Sequence, residues 1–280
     1  TLFINLESVV STDCILATNT SSLSVTSIAS SLNRPERCIG VHFFNPPVLM
    51  KLVDVVPAIQ TNRDITNQVK KMIESWGKTV VLAKDTPGFI VNKVARPFYS
   101  EAIRILEEGI AEVVTIDQAM TENGFKMGPF TLMDFIGHDV NYRVTESVWK
   151  SFFYDSRYRP SFTQLRLLEA GYLGKKSGKG FYDYTIENTI KQVEDASLKN
   201  SIFLRIISML INEAADTVWQ QICSKDDVEL AMKLGVNYPK GLLEWGSELG
   251  YQKIVDHLDD LHQTYGEERY RVCRYLRNLA

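Results

Sequence analysis

Cysteine is scarce in this sequence, and no two cysteines lie close together. Cys14, Cys38, Cys223 and Cys273 are scattered over 280 residues without a C-x-x-C pair. That spacing excludes a disulfide framework and a zinc site, and reads as reduced thiols in a cytoplasmic protein. A positive surplus is also missing: 31 Lys and Arg stand against 34 Asp and Glu, for a net charge of −3. No basic field is available to hold nucleic acid or an anionic membrane, so local Lys or Arg must meet any anionic ligand. No apolar run approaches the ~20 residues a membrane span needs, and no charged-then-apolar leader opens the chain. A glycine-rich G-x-G-x-x-G turn is absent before residue 84.

What is present points to two kinds of architecture in series. Residues 10 to 84 alternate short apolar runs with helical ones. "CILATN", "CIGVHFF", "KLVDVVPA" and "TVVLAK" read as strands. "SLSVTSIASSL" reads as a helix with Ser22 or Ser24 near its start, and "DITNQVKKMIESWG" as an amphipathic helix capped by Asp64 and closed by Gly77. Strands separated by helices imply crossovers, hence an α/β domain with a mainly parallel sheet. After "KDTPGFIVNK" the pattern turns helical, with segments expected over 89–108, 113–123, 130–150 and 160–172. The glycine- and lysine-rich "GYLGKKSGKGFYDY" closes that block as a loop. A polar stretch then reads as a linker before a second helical block.

The two helical blocks repeat one another. "SEAIRILEEGIAEVVTIDQAM" (Ser100 to Met120) aligns without a gap with "NEAADTVWQQICSKDDVELAM" (Asn212 to Met232), pairing Glu101 with Glu213 and Ala119-Met120 with Ala231-Met232. One inserted residue later, Gly128 pairs with Gly241 and Gly137 with Gly250. This predicts an internal duplication, and two copies fit a pair of homologous bundles better than a solenoid.

The chemistry is concentrated in "RCIGVHFFNPPVLMKLVDVV". His42 sits near the end of one predicted strand, followed by Asn45 and a Pro46-Pro47 turn, and Asp54 interrupts the next strand. A carboxylate in "LVDVV" is costly to bury unless paired. Adjacent strands would bring it to the imidazole, and a His–carboxylate pair is a compact acid/base unit in which the carboxylate fixes the tautomer. In "DTPGFIVNK", Asn92 falls in the first turns of a helix. In "ATNTSS", a polar cluster including Ser21 lies at a strand end, where turn chemistry and ligand contact are equally good readings.

Taken in order, "ATNTSSLSVTSIA", "GVHFFNPPVLMKLVDVV", "DTPGFIVNK", "EAIRILEEG", "MGPFTLMDFIG" and "GKKSGKGFYDY" resemble the L-3-hydroxyacyl-CoA dehydrogenase family over residues 1 to about 184. The second block resembles the duplicated C-terminal domain of longer members. The resemblance implies NAD as cofactor and an acyl-CoA as substrate, with no nucleic-acid or membrane partner. It casts His42 as the general base at the substrate 3-hydroxyl, with Asp54 where the family has a Glu. The missing methylene would require closer strands or weaken the pair. Ser21 and Asn92 match positions that hydrogen-bond the substrate oxygen. Asn45 matches a residue near the nicotinamide and acyl group, and Lys176 a lysine that reaches the cofactor; Lys93 replaces the family's Arg. No residue is cast as a metal ligand.

The implied layout is the C-terminal half of a Rossmann-like NAD-binding domain (1–84), a first helical domain (85–184), a linker (185–197) and a duplicated helical domain (198–280). With no dinucleotide turn and a start inside a helix, the chain is expected to be a piece of a longer enzyme and to bind NAD poorly alone. A homodimer, or a pseudo-dimer through the duplicated domain, is the expected assembly. A non-catalytic acyl-CoA-binding or assembly module, and a 3-hydroxyadipyl-CoA dehydrogenase, remain as alternatives.

Overall fold

Four apolar runs carry the β-branched and aromatic residues that favour a pleated, half-buried surface, and in the computed structural model they form one sheet. The structure describes residues 2–186 and 193–280. The strands are β1 (Leu16–Thr18), β2 (Cys38–Phe43), β3 (Leu52–Pro57) and β4 (Thr79–Leu82), in the order β1-β2-β3-β4. β1 pairs with β2 and β3 with β4 in parallel, but the central β2–β3 pair is antiparallel. The sheet is mainly parallel, as expected, with one antiparallel pair at its centre that the sequence reading did not foresee. Only residues 44–51, with the two prolines, join β2 to β3, and a parallel return needs a crossover of about a dozen residues or more.

Alternation along the strands sorts the two faces. Ile39 and Val41 of β2 join Val53 and Val55 of β3 and Val80 of β4 in one cluster, closed by Val69 and Ile73 of the helix Arg63–Ser75. Each buried Val or Ile contributes about 1.5–3 kcal/mol. The cap of that helix is Asn62, whose side chain accepts from Asp64 N, so Asp64 is not the cap. The other face carries Gly40, His42, Asp54 and Val56. A side chain at Gly40 would meet Val25 Cγ2 at 2.9 Å, so the short helix Val25–Ala29, capped by Ser24, lies directly on β2. The helix Lys225–Gly235 packs against β3 and β4, with Gly235 so close that an added Cβ would meet Leu52 Cδ2 at 2.8 Å. This sheet unit runs to Lys93 and takes in Thr217–Val236 from the second helical block.

The other unit comprises Val94–Asp216 and Asn237–Ala280. The helix expected over 89–108 is broken: Val91–Val94 is followed by Arg96–Glu107, because Pro97 has no N–H to continue the ladder. The segment expected over 130–150 is two helices, Pro129–Ile136 and His138–Ser151, parted at Gly137 with φ of 95°. The segments expected over 113–123 and 160–172 shorten to Val113–Thr121 and Phe162–Glu169. Gly250, between Leu242–Leu249 and Tyr251–Tyr265, repeats the Gly137 break with φ of 88°. Part of the expected linker, residues 187–192, lies outside the described residues.

The glycine-rich loop after Phe162–Glu169 is fastened by one carboxylate. Asp134, fully buried, accepts from the backbone N–H groups of Phe181 and Tyr182 at 2.9 Å each, from the Tyr184 hydroxyl at 3.1 Å, and pairs with His138 Nε2 at 2.8 Å. The duplicated elements also exchange partners. Glu101 of the first copy accepts from Tyr270 of the second at 2.7 Å and stands 3.4 Å from Arg269. Glu213 of the second accepts from Tyr158 of the first at 2.5 Å and stands 3.8 Å from Arg157.

Candidate functional site

The antiparallel register places His42 opposite Asp54, where cross-strand side chains on one face are in direct reach. Nδ1 of His42 lies 2.9 Å from Oδ2 of Asp54, and the two residues are 9% and 1% exposed. The missing methylene does not open the pair. The imidazole packs edge-on against Phe44 with ring centroids 4.8 Å apart, and against Phe89 at 5.8 Å. Phe89 has φ of 47°, a left-handed conformation that a non-glycine residue adopts at a cost of about 1–3 kcal/mol. The turn around Gly88 thus holds a strained backbone with its aromatic ring buried against the histidine.

Burial is the largest influence on Asp54 and pushes its carboxyl pKa up; the hydrogen bond and charge of His42 oppose it, and Asp227 adds to the rise. Oδ1 of Asp54 is buried without a hydrogen-bond partner. Burial likewise pushes the Cys223 thiol up to about 12. Among the described residues no group of three His, Cys, Asp or Glu is placed to hold a metal ion, and no helix is long and apolar enough to cross a membrane.

The other sequence-selected residues occupy the loops around these strands. Asn19 follows β1 and its Oδ1 accepts from Phe43 N at 2.9 Å, tying the ends of β1 and β2 together. Thr20 Oγ1 accepts from Leu23 N at 2.8 Å and shapes the loop that carries Ser21. Ser21 and Asn45 are exposed and Asn92 is half-buried; their side chains make no hydrogen bond among the described residues. Lys93 is fully buried, with Nζ donating to Thr217 Oγ1 at 3.0 Å. Lys176 belongs to the helical unit, where its ammonium pairs with Asp139.

Three residues of this neighbourhood were not singled out from sequence. Asp85 accepts from Ser24 Oγ at 2.8 Å and from the N–H groups of Val25 and Thr26 at 3.0 and 2.7 Å, so it anchors the helix that follows the "ATNTSS" loop. Its signal was an acid two residues before the Pro87-Gly88 turn. Phe44 and Phe89 line the imidazole, and nothing in their spacing distinguishes them from core aromatics.

Comparison with known proteins matches residues 1–86 to "3-hydroxyacyl-CoA dehydrogenase, NAD binding domain". The description "3-hydroxyacyl-CoA dehydrogenase, C-terminal domain" matches twice, over 88–184 and 202–280. The chain is 36% identical to the 3-hydroxyadipyl-CoA dehydrogenase of Escherichia coli K12, over all of this chain and 77% of that protein. It is 44% identical to a probable 3-hydroxybutyryl-CoA dehydrogenase of Bacillus subtilis, over 65% of this chain and 64% of the relative. A crystal structure of 3-hydroxybutyryl-CoA dehydrogenase from E. coli K12 superposes with a TM-score of 0.93 at 36% identity, covering 99% of this chain and 77% of that one.

Proposed function

The chain belongs to the 3-hydroxyacyl-CoA dehydrogenase family, and from that premise we propose that it performs NAD-dependent oxidation of L-3-hydroxyacyl-CoA to 3-ketoacyl-CoA, with His42 as general base. The observation that carries this reading is the buried 2.9 Å pair of His42 with Asp54. An ionised carboxylate only accepts, so Asp54 takes the Nδ1–H and leaves Nε2 with a lone pair. Nε2 has no hydrogen-bond partner among the described residues and receives the proton of the 3-hydroxyl. Asp54 then stabilises the imidazolium that forms. In reverse, His42 returns the proton to the 3-keto oxygen.

Ser21 and Asn92 donate to the substrate oxygen on this reading, since their side chains are not engaged elsewhere among the described residues. NAD supplies the hydride acceptor when bound. Exposed Ser21 and Asn45, on the loops after β1 and β2, suit its nicotinamide end, whereas no glycine-rich turn in this chain suits its phosphates. The four thiols are free, which suits a cytoplasmic enzyme. The reading extends to the thioester class; the relatives are named for butyryl and adipyl chains, which differ in a terminal carboxylate.

The test is reduction of acetoacetyl-CoA with NADH by the intact protein and its His42→Ala variant, with circular dichroism as a control on folding. A loss of roughly 10²–10⁴-fold in kcat is expected. A rate within a few-fold of wild type removes His42 from the role.

A further inference from the structure

The helical unit carries a partly open cavity of about 560 Å³, a volume typical of small-molecule sites. Tyr99, Ile103, Trp149 and Leu165 give it apolar walls, and Arg96 lines it as well. Arg96 is only 6% exposed. Its Nη1 donates to Thr145 Oγ1 at 3.2 Å, its guanidinium lies 5.0 Å from the centre of the Tyr99 ring, and its Nε is buried without a partner. Among the described residues no carboxylate pairs with it. A buried cation is costly to leave uncompensated. Elsewhere in the unit Arg205 shows the usual solution, meeting Glu101 at 2.6 Å and Glu108 at 2.9 Å. The other charged residues in the lining are engaged or exposed. Arg104 and Arg269 both pair with Glu267, Glu107 accepts from Thr163 Oγ1 at 2.7 Å, and Arg159 is exposed.

The duplication supplies an independent observation. The spacing of 112 residues that relates Glu101 to Glu213, Arg157 to Arg269 and Tyr158 to Tyr270 places Ser208 opposite Arg96. Ser208 is fully buried, so the repeated helix folds with a small hydroxyl at that place. Three of the residues that join the two copies, the glutamate, the arginine and the tyrosine of Glu101/Glu213, Arg157/Arg269 and Tyr158/Tyr270, recur in both; the unpaired arginine does not. The duplicated architecture therefore does not by itself require a cation at this place.

We propose that this cavity binds an aliphatic chain ending in a carboxylate, the guanidinium of Arg96 taking the carboxylate and the apolar walls the methylenes. A guanidinium is built for such a planar anion, which its fork can grip with two parallel hydrogen bonds. A buried guanidinium without a carboxylate, beside apolar walls, suits a carboxylate head on a hydrocarbon better than a compact, strongly hydrated phosphate. The inference rests on the cavity and not on the reaction proposed above, and its test involves no turnover.

Isothermal titration calorimetry of the full chain with hexanoate, monomethyl adipate, 1-hexanol and inorganic phosphate reads it directly. At least one of the two carboxylates is expected to bind tenfold or more tightly than hexanol and phosphate. A preference for monomethyl adipate identifies an ω-carboxylated acyl chain as the source, and a preference for hexanoate a simple fatty acid. Arg96→Met should abolish the advantage of carboxylate over alcohol. If that variant does not fold, Arg96→Lys, which keeps the charge and loses the fork, should weaken the carboxylate threefold or more. Equal binding of hexanol or phosphate, or carboxylate affinity unchanged in either variant, overturns the proposal.

Discussion

Asp54 stands opposite His42 in the ladder, and the 2.9 Å from Nδ1 to Oδ2 is a full-strength hydrogen bond. The sequence made both residues suspicious for a physical reason: a carboxylate inside "LVDVV" and an imidazole inside "GVHFF" each need a partner once buried. What could not be read was whether a side chain one methylene shorter than Glu would reach. That depends on the cross-strand spacing, which the antiparallel register settles. The ring packing of Phe44 and Phe89 was equally illegible, because an aromatic residue in an apolar run has many possible neighbours. The pair makes a prediction at this scale. Asp54→Asn keeps the shape and removes the charge that stabilises an imidazolium, so kcat should fall by roughly 10²-fold while KM stays within a few-fold. Asp54→Glu, which restores the charge, should recover a substantial part of the loss. Steady-state kinetics on both variants checks it, and an unchanged kcat in Asp54→Asn would mean that the carboxylate only fills space.

At the scale of elements, type was easier to read than direction. The four strands were all visible as apolar runs, yet the central pair runs antiparallel. The physical clue was the length between them: residues 44–51 leave no room for a helical crossover. Helix breaks were legible where their cause was local. Pro97 ends one ladder, and Gly137 takes a positive φ at another. The role of "GKKSGKGFYDY" was not local, because its anchor is Asp134, some forty residues earlier in the chain. That anchor explains two of the loop's glycines. A Cβ at Gly174 would meet the Asp134 carbonyl oxygen at 2.2 Å, and one at Gly180 would meet Asp134 Oδ1 at 2.1 Å. Gly171 has φ of +71° but open space around it. Gly180→Ala should therefore destabilise by about 3 kcal/mol through forced displacement of a buried carboxylate. Gly171→Ala should lose only about 1 kcal/mol, for its backbone conformation. Melting temperatures of the two variants, compared with wild type, test the ordering; equal losses would show that Asp134 moves aside freely.

On the scale of the whole molecule, the duplication was open to sequence alignment, and the C-terminal family description matches both copies. How the copies hold each other was written there too, in Arg157-Tyr158-Arg159 and Arg269-Tyr270-Arg271, 112 residues apart like Glu101 and Glu213. It became meaningful only when the structure showed each glutamate facing the other copy's tyrosine and arginine. This crosswise exchange is what a twofold dimer would show between two chains, here closed within one. The exchange is reciprocal without being equal. Glu101 is fully buried and meets two guanidiniums, Arg205 at 2.6 Å and Arg269 at 3.4 Å. Arg157, which faces Glu213, also has Asp155 at 2.9 Å and Asp216 at 3.2 Å. Removing the charge of Glu101 leaves buried cations short of an anion, a loss of about 3–5 kcal/mol. Removing that of Glu213 leaves Arg157 with two carboxylates, so the loss should be smaller. Urea titrations of Glu101→Gln and Glu213→Gln decide the matter. The expected result is a markedly lower midpoint for Glu101→Gln with an unchanged slope. If the two variants unfold together, near wild type, the crosswise glutamates are incidental to what holds the copies in place.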